Sequence, residues 1–359
     1  MFFSSQKPLL AVDIGTHSLK VAQIKKNRAG YELLSFGCVN LPPDSVVDGE
    51  IENPKALADA LSNLIKSEKI KCKDAVIGVS GQSVVIKKIS VPMMPEEELE
   101  EMIREEAEQY IPFDIDEVNL DFQIVGGDAM AEPSSSGPDE RQMDVIIVAV
   151  QKTIIQSFLD IFKSVGLKVR VVDLSVFALE NIFELSHGPA LDSAIALVNI
   201  GATMTNINIL ERGTTAFARD LPMGASVISE EIQKGLSIGF GEAEKMKLGE
   251  IPDGRTKEEV IKNVLGGVEE ICIEFRKTFD MFEKNSDIKI SKIYLSGGGA
   301  MMDGMDRLVG DQLGISTEMI NPFDKITFSD KRFDPQYLEA MAPSAVVSLG
   351  LALRTTEDK

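Results

Sequence analysis

The sequence predicts an α/β protein of two related lobes, and three observations support this prediction. A strand, a glycine turn and a second strand open the chain and recur later, where residues 199–201 align with residues 13–15. Segments of strand length and helix length alternate through both halves. At 359 residues the chain is too long for one ordinary hydrophobic core. Two copies this far apart indicate a duplicated domain, because solenoid repeats follow one another at a short fixed period.

The first half begins mainly with strands. Residues 9–14 form an apolar run that stops at Gly15, which is typical of a buried strand followed by a turn. Pro54 opens a helix that carries Leu57 and Leu61 on one face. Further strands are predicted at residues 19–24, 31–39, 75–80 and 84–91.

From Pro92 the sequence changes and predicts an inserted α+β subdomain. Three glutamates follow Pro95 and start an acidic helix, where carboxylates suit the positive end of the helix dipole. One stripe of this helix is expected to carry four apolar side chains, Leu99, Met102, Ile103 and Tyr110. Strands at 119–125 and 143–150 flank residues 128–142, whose Pro, Ser and Gly content predicts a solvated loop.

The rest of the chain repeats the opening and then becomes mainly helical. The remaining strands are predicted at residues 168–172, 194–200, 205–210, 214–219 and 292–296. The remaining helices are predicted at residues 153–165, 175–185, 224–235, 241–248, 257–283, 303–313 and 343–353. The predicted division is a first lobe at 1–91 and 151–190, an insertion at 92–150, a second lobe at 191–338, and a helix at 339–359 returning to the first lobe.

Composition and charge exclude several classes of function. The formal net charge of −20 repels phosphate backbones and anionic lipid, so neither nucleic acid nor direct membrane insertion is expected. The most apolar run, residues 145–150, is far below the roughly 20 residues of a spanning helix, and the N-terminus lacks a signal-peptide pattern. Three scattered cysteines favour reduced thiols, and two histidines are too few for a His-rich metal site or a His-based triad.

The glycine turns are candidate anion sites. A tight hairpin directs several backbone N–H groups into one small concavity, and small residues there allow an oxygen-rich anion to approach. In the first hairpin Thr16 and Ser18 offer hydroxyl donors. Lys20 offers a positive charge, and Asp13 offers a carboxylate for hydrated Mg²⁺. One glycine turn is weak evidence, but a second hairpin and a third glycine cluster at residues 296–299 favour a shared ligand.

The order of these motifs resembles the actin and heat-shock-chaperone ATPase superfamily. Residues 13–20 are similar to its first phosphate loop, D-x-G-[ST]-x-x-x-K, and residues 199–203 to its second. Residues 296–299 are similar to its adenosine motif, and residues 243–247 to the helix that touches ribose and adenine. The resemblance implies an actin-like ATPase fold, with two ribonuclease-H-like lobes around a nucleotide cleft that holds ATP and Mg²⁺. The binding positions it implies are Asp13 (also the metal ligand), Gly15, Thr16, Ser18, Lys20, Asn199, Gly201, Ala202, Thr203, Glu244, Lys247, Gly297, Gly298 and Gly299.

A narrower resemblance lies in the insertion. Residues 95–99 and 106–114 resemble the inserted subdomain of the PilM family, the actin-like proteins of type IV pilus assembly, although a solvated acidic helix face is the alternative. The resemblance implies a cytoplasmic protein, peripheral to the inner membrane, that binds the cytoplasmic N-terminal tail of the bitopic protein PilN. Other platform proteins and the pilus motor are implied as further partners. The sequence leaves oligomeric state open, including a homo-oligomer.

The second phosphate loop departs from the superfamily pattern, because Asn199 stands where an Asp is usual. An amide can hydrogen-bond a metal-bound water, but it lacks the charge that holds Mg²⁺ or favours an incoming nucleophile. Asp173 and Glu180 lie near the helix where the superfamily often places the group that orients the attacking water, yet neither stands clearly at that position. ATP binding is therefore expected, hydrolysis is expected to be slow or absent, and no catalytic base is assigned.

Three alternative functions compete with this interpretation. A small-molecule kinase of the same superfamily needs a base aimed at a substrate hydroxyl and a polar sugar pocket, and the sequence shows no clear candidate for either. An FtsA-like cell-division tether is expected to end in a basic amphipathic helix, whereas residues 354–359 form a polar tail. A binding module that uses ATP only to hold its lobes together is hard to separate from the pilus interpretation.

Overall fold

The computed structural model describes residues 7–127 and 141–357. The strands are β1 (Leu10–Ile14), β2 (Ser18–Asn27), β3 (Gly30–Asn40), β4 (Val46–Val47), β5 (Glu50–Ile51), β6 (Asp74–Val79), β7 (Val84–Pro92), β8 (Val118–Gly127), β9 (Gln142–Gln151), β10 (Lys168–Leu174), β11 (Ala194–Ile200), β12 (Thr205–Glu211), β13 (Thr214–Leu221), β14 (Ile290–Ser296), β15 (Ser316–Met319) and β16 (Ile326–Thr327). The helices are α1 (Pro54–Ser67), α2 (Glu96–Ala107), α3 (Lys152–Ser164), α4 (Ser175–His187), α5 (Ser226–Leu236), α6 (Phe240–Lys247), α7 (Lys257–Glu283), α8 (Met305–Leu313) and α9 (Pro335–Ala352).

Two mixed sheets of one topology form the body of the molecule. The first sheet has the order β10-β6-β1-β2-β3-β16, and the second has the order β13-β12-β11-β14-β15. In each sheet the first strand pairs antiparallel with the second and parallel with a later strand, as β1 does with β2 and β6, and β11 with β12 and β14. The strand order and direction therefore repeat as the sequence predicts. Strand β16 comes from the second half and pairs parallel with β3, which ties the halves together.

Alternate residues of the central strands face two different cores. Leu10 of β1 packs in a cluster with residues of α1 and α3, whereas Ala11 packs with residues of α4 and α9. Ala196 of β11 packs with residues of α5 and α7, whereas Leu197 joins the cluster of α4 and α9. Strands covered on both faces must be apolar throughout, which explains their continuous hydrophobic runs. Helices α4 and α9 therefore lie in a core shared by both sheets.

Local signals in the sequence explain where the long helices begin. Helix α1 starts at Pro54, and the Asn53 side chain before it accepts a hydrogen bond from the backbone N–H of Ala56 at 3.0 Å. Helix α7 starts with a capping box, in which Thr256 and Glu259 each accept a hydrogen bond from the other's backbone N–H. These caps satisfy donors that have no partner inside the helix.

The predicted start of the last helix at Pro343 is wrong. Helix α9 begins at Pro335, and the Asp334 side chain caps it by accepting from the backbone N–H of Gln336 at 3.0 Å. Pro343 lies inside the helix, although proline removes a helical hydrogen bond and usually ends or kinks a helix. Burial offsets this cost, because α9 is apolar on nearly all sides and packs in the shared core.

The insertion forms a separate three-stranded sheet, in the order β7-β9-β8. Leu99 and Ile103 of α2 are buried in its core, as predicted. Tyr110 is an exception, because α2 ends at Ala107 and the Tyr110 side chain is 39% exposed, with the Lys87 ammonium 5.4 Å from its ring centre. Of the predicted loop at 128–142, residues 128–140 lie outside the described residues, and Gln142 already begins β9.

Two expectations from composition concern membranes and thiols. Among residues 7–127 and 141–357, no helix is both long and apolar enough to cross a membrane. Cys38, Cys72 and Cys272 are free thiols. Burial raises the pKa of the Cys272 thiol to about 12, so this side chain acts as a small apolar group in the core of the second sheet.

Candidate functional site

The first glycine turn joins β1 to β2. The Gly15 N–H donates to the Ser18 carbonyl oxygen at 3.0 Å, and a Cβ at Gly15 would lie only 3.2 Å from that oxygen. Strand pairing places Asp13 opposite Lys20, and the Lys20 Nζ lies 3.4 Å from Asp13 Oδ2. Lys20 is only 8% exposed, so its charge is held in a largely dry position. An ammonium has three donors, so the single contact with Asp13 leaves capacity for an anionic ligand.

The Ser18 side chain lies toward β3. Its hydroxyl and the Lys20 ammonium both act to lower the pKa of the Cys38 thiol, but desolvation is larger and raises that pKa overall. Ser18 pairs with Asn40 of β3, and Lys20 pairs with Cys38. The Ser18 carbonyl therefore belongs to the turn, whereas the Ser18 hydroxyl lies next to the Cys38 thiol.

The second glycine turn joins β11 to β12 and meets the first. The Gly201 N–H donates to the Met204 carbonyl oxygen at 2.8 Å, which repeats the contact made by Gly15. The Thr203 hydroxyl donates to the Thr16 hydroxyl at 3.1 Å. Two turns that are far apart in the sequence therefore lie in direct contact.

Helix α5 begins at this second turn. The backbone N–H groups of Ala225 and Ser226 donate to the carbonyls of Gly201 and Ala202, at 2.9 and 2.8 Å. A Cβ at Gly224 would lie 2.5 Å from the Ala202 carbonyl oxygen, so the chain needs glycine there. These contacts hold the second turn in one conformation against the start of α5.

The three glycines after β14 differ in what surrounds them. Gly297 has φ +93°, and a Cβ there would collide with the backbone of Ile200. Its N–H donates to the Pro343 carbonyl of α9 at 2.7 Å, so this donor is already engaged. A Cβ at Gly299 would lie 2.6 Å from the Ile200 side chain, whereas a Cβ at Gly298 would meet nothing within 4 Å. Gly297 and Gly299 therefore allow close packing on β11, and Gly298 faces open space.

Helix α6 connects to the same turn through a charged pair. Lys247 Nζ lies 2.7 Å from Glu244 Oε1, and the Ser229 hydroxyl also donates to Glu244. Lys247 donates further to the carbonyl oxygen of Ala225 at 3.3 Å. The structure thus brings the predicted positions on α6 next to the start of α5 and the second turn, where both side chains already have protein partners.

A polar chain leads away from the second turn, with Asn206 buried and Asn199 and Asp220 half-buried. Beyond Asn199, the sequence did not predict its members. Asn199 Nδ2 donates to Asn206 Oδ1 at 3.0 Å, and Asn206 Nδ2 donates to Asp220 Oδ1 at 2.7 Å. The Gly81 N–H, from the first half of the chain, donates to Asp220 Oδ2 at 2.6 Å. Burial raises the pKa of the Asp220 carboxyl, against these hydrogen bonds, which lower it. The available signal was a polar residue one position from the end of each of three consecutive strands, Asn199 in β11, Asn206 in β12 and Asp220 in β13.

The two carboxylates considered as a catalytic base are both engaged. Arg354 donates to both oxygens of Asp173, at 2.6 and 3.1 Å. The Thr215 hydroxyl donates to Glu180 at 2.6 Å, and burial raises the pKa of the Glu180 carboxyl. Asp173 thus joins β10 to the segment after α9, and Glu180 joins α4 to β13. That neither carboxylate acts as a base stays a prediction.

The cleft suits a phosphate-bearing ligand better than a metal ion alone. Within the described residues, no group of three or more His, Cys, Asp and Glu side chains could hold a metal. Mg²⁺ often takes one or two carboxylates and completes its coordination with water and ligand phosphates. Asp13 at the first turn fits such a single carboxylate, with the buried Lys20 charge beside it.

The repeated sheets and the facing turns define an actin-like protein with a nucleotide-binding type of fold. MreB5 of Spiroplasma citri bound to AMPPNP has this fold, with a TM-score of 0.52 and 13% identity, over 96% of this chain and 94% of that one. The chain belongs to the family of type IV pilus assembly protein PilM, which matches residues 11–356. Its role therefore lies in type IV pilus assembly, and the predicted fold and family are confirmed.

Two further similarities bear on the alternatives. The PilM–PilN type IV pilus biogenesis complex matches with a TM-score of 0.83 and 28% identity, over 98% of this chain and 100% of that one. Cell division protein FtsA of Bacillus subtilis is 21% identical over 369 residues, covering 95% of this chain and 82% of FtsA. FtsA is thus a distant relative, and the family match favours type IV pilus assembly over cell division.

Proposed function

We propose that this chain is an ATP-binding assembly protein that works on the cytoplasmic side of the inner membrane. The observation that carries the nucleotide part is the contact between the two glycine turns, where the Thr203 hydroxyl donates to Thr16 at 3.1 Å. A ligand between the lobes would contact both turns at once. Nucleotide binding would thereby hold the two halves of the molecule in one relative position.

In this proposal the phosphates lie between the two turns. Lys20 supplies a positive charge to them, and Asp13 holds Mg²⁺ through its carboxylate or through a bound water. Gly298 leaves room for the adenosine, and the Glu244–Lys247 pair lies at the ribose side. The remaining positions shape the turns, namely Gly15, Thr16, Ser18, Asn199, Gly201, Ala202, Thr203, Gly297 and Gly299.

Slow or absent hydrolysis follows from the same residues. Asn199 carries no charge, and the carboxylates of Asp173 and Glu180 are held by Arg354 and Thr215. Positioning of an attacking water would need a free acceptor on the opposite side of the phosphates. ATP then works as a structural ligand. In that case the pilus assembly protein and the binding module that uses ATP only to hold its lobes together are the same proposal.

We propose that the inserted subdomain binds the cytoplasmic N-terminal tail of a PilN-like bitopic protein. The similar PilM–PilN complex supports this partner, since PilN is the protein named in it. We further propose that the insertion begins with β7, because β7 pairs with β9 from Val84 to Pro92 and the boundary at residue 92 would divide the sheet. The proposed boundary at residue 190 lies between α4 and β11, whereas the boundary at 150 is better placed after Gln151, the end of β9, and the one at 338 before Pro335, the start of α9. Strand β16 pairs with β3, so residues 326–327 go with the first sheet.

A groove where the insertion meets the first lobe is the proposed docking position. The Lys152 ammonium at the start of α3 donates to the Asp116 carbonyl oxygen at 2.7 Å, so the two parts are in direct contact. An extended tail bound there would order on binding, so we expect modest affinity, about micromolar, that rises when the partner is presented on a membrane.

The test is a pull-down from membranes with the purified full chain, with and without ATP. Recovery of a bitopic protein, followed by binding of its synthetic N-terminal tail, would support the proposal. Recovery of division proteins in its place would support the FtsA-like alternative, and turnover of a panel of sugars would support the kinase. Calorimetric titration with ATP and Mg²⁺ tests the nucleotide part separately.

A further inference from the structure

The polar chain behind the second turn has a direction. Its two amides, Asn199 and Asn206, each accept from one neighbour and donate to the next. The Ser296 hydroxyl lies 3.4 Å from Asn199 Oδ1, Asn199 donates to Asn206, and Asn206 donates to Asp220. Asp220 ends the chain, because both its oxygens receive donors, one from Asn206 and one from the Gly81 N–H.

The carboxylate is the member that sets this direction. An ionised carboxylate only accepts hydrogen bonds, whereas an amide can present either its oxygen or its NH₂. Because Asp220 Oδ1 requires a donor, Asn206 must direct its NH₂ to Asp220 and its oxygen to Asn199. Asn199 must then direct its NH₂ to Asn206, and its oxygen lies toward β14. Asn206 is only 5% exposed, so its side-chain amide relies on protein partners more than on water.

The same carboxylate joins the chain to the first half of the molecule. Gly81 is tightly enclosed, since a Cβ there would lie 2.6 Å from the Asp48 carbonyl oxygen and 3.3 Å from the Met204 methyl group. The Gly81 carbonyl accepts from the N–H of Val84, the first residue of β7. The chain therefore runs from the base of the inserted sheet to the second glycine turn.

We propose that Asp220 is a positioning residue that fixes the side-chain amide of Asn199, so that Asn199 presents its oxygen beside Ser296, at the start of the third glycine cluster of the proposed nucleotide site. The oxygen then serves as an acceptor for a metal-bound water, in the position where a carboxylate is usual. This inference rests on the proposed nucleotide site. It adds that an amide at position 199 depends on an acid at position 220, with which it has no direct contact.

The chain predicts a specific rescue. Asn199→Asp alone places carboxylates on both sides of Asn206, whose single NH₂ can serve only one of them. Asp220→Asn alone reverses the direction of the hydrogen bonds, because the new amide directs its NH₂ to Asn206. Asn199 then presents its NH₂ to β14. With both substitutions every contact regains one donor and one acceptor, because the amides at positions 206 and 220 turn together and the Gly81 N–H keeps its acceptor.

The first experiment needs no nucleotide and uses chemical denaturation of the full chain. We expect Asn199→Asp to lower the denaturation midpoint in the parent and to lower it much less when Asp220→Asn is present. The four proteins compared are the parent, the two single variants and the double variant. When Asn206→Leu is added to each of them, Asn199→Asp should lower the denaturation midpoint equally with and without Asp220→Asn, because the connecting side chain is gone. If Asp220→Asn still reduced the effect of Asn199→Asp by the same amount in the Asn206→Leu proteins, the two carboxylates would act only through space, and the proposal would be overturned.

The second experiment measures ATP affinity with Mg²⁺ and with a chelator. Asp220→Asn should lower affinity in Mg²⁺ by roughly three- to tenfold, with a smaller change in chelator. Adding Asn199→Asp should restore the affinity in Mg²⁺. Unchanged affinity in a folded Asp220→Asn protein, or no rescue, would overturn the proposal. A parent that binds no ATP at all would overturn the nucleotide site itself, and the denaturation experiment would still decide whether the chain couples these residues.

Discussion

Single side chains in the cleft combine burial with charge. Lys20 is buried beside Asp13, and the pair lies where the first turn meets the second. A buried charge with one weak partner costs stability, so its presence at a turn indicates a ligand that completes its contacts. Asn199 differs, because it is uncharged and its two ends already have partners in Asn206 and Ser296.

Lys20→Ala is expected to weaken ATP binding by about one to two decades, because a charge-assisted contact worth about 1.5–3 kcal/mol is lost. Calorimetric titration measures this directly. Lys25→Ala is the matched control, since Lys25 lies on the same strand and is exposed. Equal ATP affinity for the Lys20 variant, the control and the parent, all folded, would show that Lys20 does not contact phosphate.

Asn199→Asp is expected to raise single-turnover ATP hydrolysis while leaving binding similar, because it restores a charge that holds metal and water. The gain should be larger together with Asp220→Asn, which leaves Asn206 free to serve the new carboxylate. Rapid-quench measurement of one turnover tests both. A doubly substituted protein no faster than the parent would place the limiting defect in the missing base.

Strands and helices show what the sequence predicts well. Continuous apolar runs predicted β1 and β11, and repeated leucines predicted α1, because these patterns are local. The start of α9 was missed, since an internal proline is tolerated only by burial between two sheets. Strand β16 has two residues and owes its pairing to β3, almost three hundred residues away, which no local pattern records.

The residues of the candidate site also fall into those that the local sequence predicts and those that depend on distant contacts. The glycine turns were found because their residue types are unusual and follow strands. Asp220 and Gly81 were missed because their contact joins residues 139 positions apart. The roles of Gly297 and Gly299 in packing against Ile200 also depend on a neighbouring strand, so the sequence alone gave three equivalent glycines.

Gly297→Ala is expected to destabilise the protein by at least about 1–2 kcal/mol, because a side chain at positive φ is strained and would meet the Ile200 backbone. Gly298→Ala is the matched control, since a methyl group there meets open space. Chemical denaturation compares the two variants. Similar losses from both substitutions would contradict the distinct positions assigned to these glycines.

Deleting residues 128–140 is expected to spare tail binding, because their composition predicts a solvated loop. The deletion should stop before Arg141, whose carbonyl accepts from the Met93 N–H at 2.9 Å beside the start of β9. Binding of the synthetic tail to the shortened chain tests this. A large loss of affinity in a folded protein would assign the loop to the docking site.

At the scale of the whole molecule, two sheets of one topology enclose a shared core, and their paired glycine turns meet at one place. The insertion is a third sheet with its own helix and its own core. Such a unit adds a surface that the two-lobed body does not require. The proposed nucleotide site and the proposed partner site therefore lie on different parts of the molecule, one at the paired turns and one on the insertion.

The most direct test of this separation replaces residues 84–151, the whole β7-β9-β8 sheet with α2, by a short flexible linker. Calorimetry then measures binding of ATP and of the synthetic tail from the bitopic protein recovered with the full chain. We expect ATP affinity close to that of the parent and no detectable tail binding. Tail binding of parental affinity by the shortened protein would contradict the assignment of the insertion as the docking site.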